Sequence, residues 1–394
     1  MERVFGDRES LDEKLATIAD RHARNAVLPG FAYRDENLFD LEVERLFKRE
    51  WVSITCAQSV PEPGDVFPVM IAGQSLFVVR DKDGDVRVFY NLCRHRGAEL
   101  IDKPCNPRGG RLVCPYHAWS YNLKGEFLRA PYLYRDDGNA QPDEAAREEL
   151  GLISVRSEVW RDIVFVDLSG VAKPFESLIA PLDERLARWN ADELRALSSV
   201  EYSVAVNWKL AAENFLDAYH LPVLHSQIGL GFEGAMQIED LEISDRITGF
   251  VMPIGYGIEP KESDRSLPRF SGVGDESQSI EVFVIFPNTL ILVEPDNSQV
   301  ITLRPQGAGL THESFANYVA TDAAQTDEMA ELRDGYHESS NEVNEQDVKL
   351  LESLQKSRAM DVGGDTRISK EWDQTVLRFQ RIWSEALLET PSAD

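Results

Sequence analysis

Two short segments, Cys93-Arg94-His95 and Cys114-Pro115-Tyr116-His117, lie eighteen residues apart and oblige this chain to bring two loops together around a metal. Two thiolates and two imidazoles at CxH and CxxH spacing suit a Rieske [2Fe–2S] centre, with Cys93 and Cys114 on one iron and His95 and His117 on the other. Replacing anionic thiolates by neutral imidazoles raises the potential of such a cluster, which fits a centre that accepts electrons and passes them on. A structural Cys2His2 zinc site uses the same ligand types. Zinc fingers usually pair Cys with Cys and His with His, whereas each segment here supplies one of each, and that mixing favours iron and sulfur.

The chain is long enough for two domains and a sizeable core, with 394 residues of which 43% are hydrophobic. Its start, MERVFGDRES, is neither a signal peptide nor an anchor, and no apolar run approaches the roughly twenty residues that span a bilayer. A cytoplasmic protein without membrane contact is expected. Of four cysteines, Cys56 and Cys105 lie outside the ligand segments and read as free thiols in a reducing compartment. A formal charge of −27 disfavours binding to nucleic acid or to anionic lipid.

Residues 1–45 read as an amphipathic helix, with Leu11, Leu15 and Ile18 at helical spacing, and then a loop from the Pro29-Gly30 break: an arm. Residues 46–168 carry short β-rich runs such as VFPVMIAG, SLFVVRD and WRDIVFVDL, separated by PEPGD, DKDGD and NLKGE turns, and predict a small antiparallel β domain with both ligand segments on its loops. The tract Arg135–Glu149 reads as a surface excursion. Residues 169–394 open with a helix bearing Phe175, Leu178, Leu182, Leu186 and Trp189, and then mix strands (ISDRITGFVM, IEVFVIF, TLILVEP, QVITLRP, ESFANYVA) with helices, so the fold class is α+β. No glycine-rich phosphate loop is present in the sequence.

The run NWKLAAENFLDAYHLPVLH, 207–225, predicts a helix with Trp208, Ala211, Phe215 and Tyr219 on one face and Glu213, Asp217 and His220 on another, ended by Pro222 so that His225 approaches from the next segment. Two imidazoles and one carboxylate make an open iron(II) site. In NEVNEQDVKLLESLQKS, Val343, Asp347, Leu350 and Leu354 share a predicted buried face, and a buried carboxylate needs a partner or a metal. Asp347 is therefore the candidate third ligand, a buried cap or bridge being the other reading. Pocket walls are expected from Ile228–Phe232, Phe250–Tyr256 and Phe283–Glu294, mostly apolar with aromatic members, which favours an aromatic or amphipathic substrate; an aromatic cage for a quaternary ammonium is open to the same residues.

Taken together, CRHRG with CPYHAW, then ENFLDAYHLPVLH, then EQDVKLLE followed by ISKEWDQTVLRFQRIW resemble the α subunits of Rieske non-haem iron oxygenases over almost the whole chain. The resemblance implies a Rieske β domain inserted near the N-terminus of a helix-grip catalytic domain. It makes Cys93, His95, Cys114 and His117 the [2Fe–2S] ligands, and His220, His225 and Asp347 the ligands of a mononuclear Fe(II). It implies a terminal oxygenase that draws electrons from NAD(P)H through a reductase, with or without a ferredoxin, and acts with O2 on a small organic substrate. Aromatic hydroxylation is the leading reading; oxidative N- or O-demethylation of an amphipathic or quaternary ammonium substrate is the alternative, and an electron-transfer protein without oxygenase activity the alternative class. Homotrimers, with or without a β subunit, are implied, with Asp217 bridging His220 of its own subunit to His117 of a neighbour as the electron-transfer link. The eighteen-residue gap is longer than in many members, a departure that bears on the shape of the loop and not on the ligands.

Overall fold

A computed structural model describes residues 10–133, 141–228, 231–254, 266–274, 279–358, 360, 367–369 and 371–389. The chain separates into two compact units: Phe47–Ala172, and Met1–Leu46 together with Lys173–Asp394.

The inserted unit is built on nine short strands: β1 (Val52–Cys56), β2 (Val66–Ile71), β3 (Gln74–Arg80), β4 (Val86–Tyr90), β5 (Arg111–Val113), β6 (Ser120–Asn122), β7 (Phe127–Arg129), β8 (Arg156–Trp160) and β9 (Ile163–Asp167). They form three antiparallel sheets of three strands, ordered β1-β9-β8, β2-β3-β4 and β5-β6-β7. Alternation explains the register: Phe77 and Val79 point into a core shared with Phe89, Leu112, Tyr121 and Phe127, and this core includes Cys93 and Cys114. The described part of the 135–149 tract is an exposed helix, Glu144–Glu149, capped by Asp143.

The larger unit holds a seven-stranded antiparallel sheet of β10 (Leu194–Val204), β11 (Glu239–Glu242), β12 (Ile247–Pro253), β13 (Ser279–Ile285), β14 (Thr289–Val293), β15 (Asn297–Gly307) and β16 (Leu310–Ala320), in the order β10-β16-β15-β14-β13-β12-β11. Helices Trp208–Leu216, Ala330–Arg358 and Gln374–Leu388 pack against it, giving the α+β helix-grip arrangement expected. β10 and β11 were hidden in polar text: LRALSSVEYSV shows no clean alternation because only one edge of β10 is paired. The arm is also richer than a helix and loop. Leu11–Ala23 starts with a Ser10/Glu13 capping box, and a second helix, Glu36–Glu42, follows the Pro29-Gly30 break, capped by Asp35.

A buried polar network ties that arm to the helices around the site. Glu42 pairs with Lys209, which is wholly enclosed, and accepts from the indole N–H groups of Trp208 at 2.9 Å and Trp383 at 3.0 Å. Glu213 accepts from the Tyr33 hydroxyl at 2.7 Å and from Gln380 at 3.0 Å. Burial lowers the Lys209 pKa, against the pull of Glu42, and raises that of Glu213. Such groups are tolerated inside because each is paired, and together they anchor helix Trp208–Leu216 at a fixed height over the sheet. No helix among the described residues is long and apolar enough to cross a membrane.

Candidate functional site

The two cysteine–histidine segments of the inserted unit close as matched loops. Cys93 N–H donates to Ala98 O at 2.8 Å and Gly97 N–H returns to Cys93 O at 2.9 Å; Cys114 N–H donates to Trp119 O at 2.7 Å and Ala118 N–H returns to Cys114 O at 3.0 Å. Each turn needs a left-handed residue four places after its cysteine, supplied by Gly97 at φ +72° and Ala118 at φ +57°. The thiols point into the core, while the imidazoles of His95 and His117 are exposed with centroids 4.7 Å apart. His95 stacks on Trp119 at 4.8 Å, and Tyr116 packs on His117 at 3.8 Å. Tyr121 completes the site: its hydroxyl accepts from Arg94 N–H at 3.1 Å, so its own hydrogen is free for Cys93 Sγ at 3.3 Å. Burial pushes the Cys93 thiol up and leaves it a thiol until a cation arrives, whereas burial followed by His117 and Arg96 lowers His95 and keeps its imidazole neutral for ligation. Two enclosed sulfurs on one side and two exposed imidazoles on the other fit a cluster with an all-sulfur iron and an imidazole iron.

In the larger unit the local structure around the DxxHxxxxH run differs from the single helix expected. Helix Trp208–Leu216, capped by Asn207, stops at Asp217, whose backbone is extended, and a new turn runs Leu221–Leu224 with Pro222 in its first positions. Pro222 therefore starts a helical turn rather than ending one, because an N-terminal position needs no N–H. Tyr219 leaves the apolar stripe and is 47% exposed, and Glu213 faces the buried network rather than Asp217. The break still puts the chemistry together: one Asp217 oxygen accepts from Tyr219 N–H at 2.7 Å and the other lies 3.2 Å from His220 Nδ1.

Asp347 comes from helix Ala330–Arg358, whose buried residues are Ser340, Asn344 and Leu351 rather than the apolar Val343, Leu350, Leu354 stripe; Asp347 itself is half-buried, as are Val343 and Leu350, and Leu354 is 38% exposed. Ser340, Asn344 and Asp347 are the polar groups this helix contributes to the lining of a cavity whose other walls are mostly apolar. His220 Nε2 and His225 Nε2 lie 3.5 and 3.0 Å from Asp347 Oδ1, and one donor atom from each of the three residues falls within 4.8 Å of the others. Both rings turn Nε2 to the carboxylate and keep Nδ1 bonded behind, His225 Nδ1 lying 2.7 Å from Gln346 Oε1. Burial disfavours charge on His225, yet Asp347 and Gln346 outweigh it and raise its pKa, so the spot between these groups draws positive charge. Two imidazoles and one carboxylate, open on one side to a cavity, fit a divalent iron.

That cavity, about 90 Å³, is walled by Phe215, Leu221, Phe250, Met252, Val282, Leu292, Ile301, Phe315 and Val343, with Asn214, Gln299, Ser340 and Asn344 as its neutral polar groups. Of the walls expected, Phe250, Met252 and Leu292 line it; Phe283 is buried but takes no part, Ile228 and Phe232 are exposed, and Gly229, Leu230, Gly255 and Tyr256 lie outside the described residues. A second chamber of about 290 Å³ shares Phe250 as a wall and is lined further by Ala218, Met236, Ile238, Trp372, Asp240 and Glu371. Sequence reasoning missed Gln346, Asn344 and Glu313. Glu313 is buried on the β16 face that carries Phe315, and burial followed by Asp347 pushes it up to about 7; that face also carries Thr311 and Asn317, so its polarity marked nothing in the sequence.

Residues 50–140 match the family described as the Rieske [2Fe-2S] domain, and residues 191–389 match the ring hydroxylating alpha subunit (catalytic domain). The chain belongs to the ring-hydroxylating α subunits. The resemblance read from the three motifs is borne out, and this α subunit is an oxidoreductase with a Rieske [2Fe–2S] domain and a non-haem iron catalytic domain. It is 33% identical over 210 residues to the large oxygenase component of salicylate 5-hydroxylase from Ralstonia sp, a stretch covering 50% of this chain and 49% of that protein. The α subunit thus spans about half the length of that relative. It is 26% identical over 333 residues to the oxygenase subunit of carnitine monooxygenase from Escherichia coli (strain K12), 84% of this chain and 83% of the other. Naphthalene 1,2-dioxygenase from Rhodococcus sp., solved with indole bound, shares the fold with a TM-score of 0.79 at 19% identity, over 97% of this chain and 100% of that one.

Proposed function

We propose that this α subunit hydroxylates a small, neutral aromatic substrate at a mononuclear iron held by His220, His225 and Asp347. The cavity lining carries the reading: nine apolar side chains, three of them phenylalanines, and among the described residues no lysine or arginine to clamp an anionic substituent. Iron(II) bound there supplies the activation of dioxygen, with electrons received through the [2Fe–2S] group held by Cys93, His95, Cys114 and His117. The apolar walls hold the ring and keep water out, and the carboxamides of Asn214, Gln299 and Asn344 orient a polar substituent. A cavity of about 90 Å³ is smaller than the roughly 150 Å³ that admits benzene, so entry moves a side chain, and Phe250 is the wall whose rotation joins the two chambers. Overall, substrate, O2, NAD(P)H and a proton give NAD(P)+ and either a cis-diol or a hydroxylated product with water.

The same proposal places residues 46–168 as the electron-receiving domain, 169–394 as the catalytic domain and 1–45 as the arm that braces it, in a cytoplasmic protein served by a reductase, with or without a ferredoxin. Assembly as a homotrimer lets Asp217, which is partly exposed, accept from His117 of a neighbouring copy while it holds its own His220, linking the two centres.

A second reading, oxidation of a quaternary ammonium compound, rests on the adjoining chamber, whose lining includes Trp372, on which Tyr219 stacks at 4.7 Å, and the acidic Asp240 and Glu371. One experiment separates the two. Wild type and a His220→Ala/His225→Ala variant, each supplied with a reductase, are offered naphthalene, salicylate and carnitine, with iron, labile sulfide, O2 uptake and products measured. Hydroxylated naphthalene from wild type, and one iron fewer with an intact Rieske EPR signal in the variant, are expected. Turnover of carnitine alone moves the assignment to the second reading, and unchanged iron in the variant removes the catalytic site altogether.

A further inference from the structure

The two imidazoles facing Asp347 are held from behind by different chemistry. His220 Nδ1 lies against a carboxylate, Asp217 Oδ2, at 3.2 Å, whereas His225 Nδ1 lies against a carboxamide oxygen, Gln346 Oε1, at 2.7 Å. The same oxygen accepts from Gln227 Nε2 at 2.8 Å. An oxygen turned toward Nδ1 requires the hydrogen on Nδ1, and that is the tautomer that leaves the Nε2 lone pair free to bind a metal.

Gln346 and Asp347 are consecutive on one helix, so their side chains leave it about 100° apart. His225, wholly buried, sits in that angle with Nε2 toward Asp347 and Nδ1 toward Gln346. The helix thus supplies both a ligand and the group that aims the neighbouring ligand.

We propose that Gln346, braced by Gln227, is a positioning residue that fixes the tautomer and ring orientation of His225 and makes the two imidazoles unequal donors. A carboxylate behind an imidazole draws its Nδ1 proton and strengthens the ring as a base; a carboxamide orients the ring without adding charge. His220 is accordingly the stronger donor and His225 the weaker, on the side of the site that Gln346 controls. This inference rests on the reading of His225 and Asp347 as iron ligands.

The test compares Gln346→Leu, Gln346→Glu, Gln227→Leu and His225→Ala with wild type. Readouts are anaerobic competition for ferrous iron against a chelator, the EPR spectrum of the ferrous nitrosyl adduct, and the melting temperature of the metal-free protein. Gln346→Leu should bind ferrous iron about tenfold to a hundredfold more weakly, with the Rieske signal and the metal-free melt unchanged. Gln346→Glu should restore affinity with an altered nitrosyl spectrum, since both imidazoles then rest on carboxylates. Gln227→Leu, at an exposed position where the fold is not at stake, should shift the spectrum the same way as Gln346→Leu by a smaller amount.

Wild-type affinity and spectrum in Gln346→Leu, with iron lost in His225→Ala, would overturn the inference alone. Wild-type iron binding in His225→Ala would overturn the ligand reading beneath it. A loss in Gln346→Leu that glutamate does not restore, or a lowered metal-free melt in that variant with Gln227→Leu silent, would reduce Gln346 to a packing residue and sink the proposal.

Discussion

The metal-binding regions of the two units are organised on opposite plans. In Phe47–Ala172 the four candidate ligands fall between Cys93 and His117, on two turns closed by their own backbone hydrogen bonds. In the larger unit the candidate ligands are His220, His225 and Asp347, delivered by separate helical segments whose positions depend on contacts with the arm and the C-terminal helix. Charge divides the same way: of 41 basic and 68 acidic side chains, residues 47–172 hold 16 and 18, leaving 25 and 50 to the rest. A site written into adjacent turns survives on local geometry, whereas one assembled from distant segments inherits the stability of everything that holds them.

The largest expected effect breaks one region and spares the other. Cys93→Ser should abolish the Rieske EPR signal and leave the mononuclear iron in place, because that thiol serves the inserted unit alone. Loss of all iron in this variant would show that the two sites do not fold independently.

Next in size is Glu42→Ala, which strips Lys209 and two indole N–H groups of their shared acceptor inside the larger unit. An unpaired buried charge costs about 3–5 kcal/mol, so the thermal transition of the catalytic unit should fall steeply, mononuclear iron should be lost and the cluster absorbance retained. Calorimetry with iron analysis checks this. An unshifted catalytic transition would mean that the arm does not brace the site.

That contrast also explains how much the sequence disclosed. CxH and CxxH are short-range patterns, so the cluster loops and their order among β runs were legible, as were His220 and His225 from their spacing. Asp347 was singled out for a partly mistaken reason: it is half-buried and its helix buries the polar Ser340 and Asn344 beside it, so the carboxylate does not interrupt a buried apolar stripe, and what marks it is its place beside His220 and His225. Gln346, Asn344 and Glu313 gave no signal because their meaning depends on what strand or helix lies opposite, and strand β10 and helix Glu36–Glu42 were missed because pairing and capping, not hydrophobic period, define them.

Titration sharpens the comparison further. In the larger unit, Glu294 is half-buried and its carboxyl is pushed up to about 7 by burial, with Asn297 opposing and Asp296 adding. A raised carboxyl pKa favours the protonated form in the folded state, so its contribution is complete below pH 4.5 and is lost as pH rises to 7, by roughly 2 kcal/mol once solvent screening is allowed for. In the inserted unit, Asp81 is fully buried, yet Arg87 and the N–H groups of Asp83 and Asp85 outweigh desolvation and lower its pKa, so its contribution is present at neutral pH and is lost on acidification. Between pH 7 and 4.5 the catalytic transition should gain from Glu294, and Glu294→Gln should remove that gain while leaving the inserted unit unmoved. Scanning calorimetry across this range checks it, and identical pH dependence in variant and wild type would remove Glu294 as the cause.

The smallest effect probes the cluster loops from within. Tyr121 accepts from Arg94 N–H, which directs its own hydrogen to Cys93 Sγ, and burial with that bond raises the Tyr121 pKa so that the hydroxyl stays protonated. Reduction of a cluster adds negative charge to its sulfurs, and a donor there stabilises the reduced state more than the oxidised one. If the difference is about 1 kcal/mol, Tyr121→Phe lowers the potential by roughly 40 mV for a one-electron couple, with the cluster content unchanged. A redox titration followed by EPR measures it. An unaltered potential would make the hydroxyl a fastener of the Arg94 turn, and tuning of the centre in the inserted unit would then fall to the imidazoles alone.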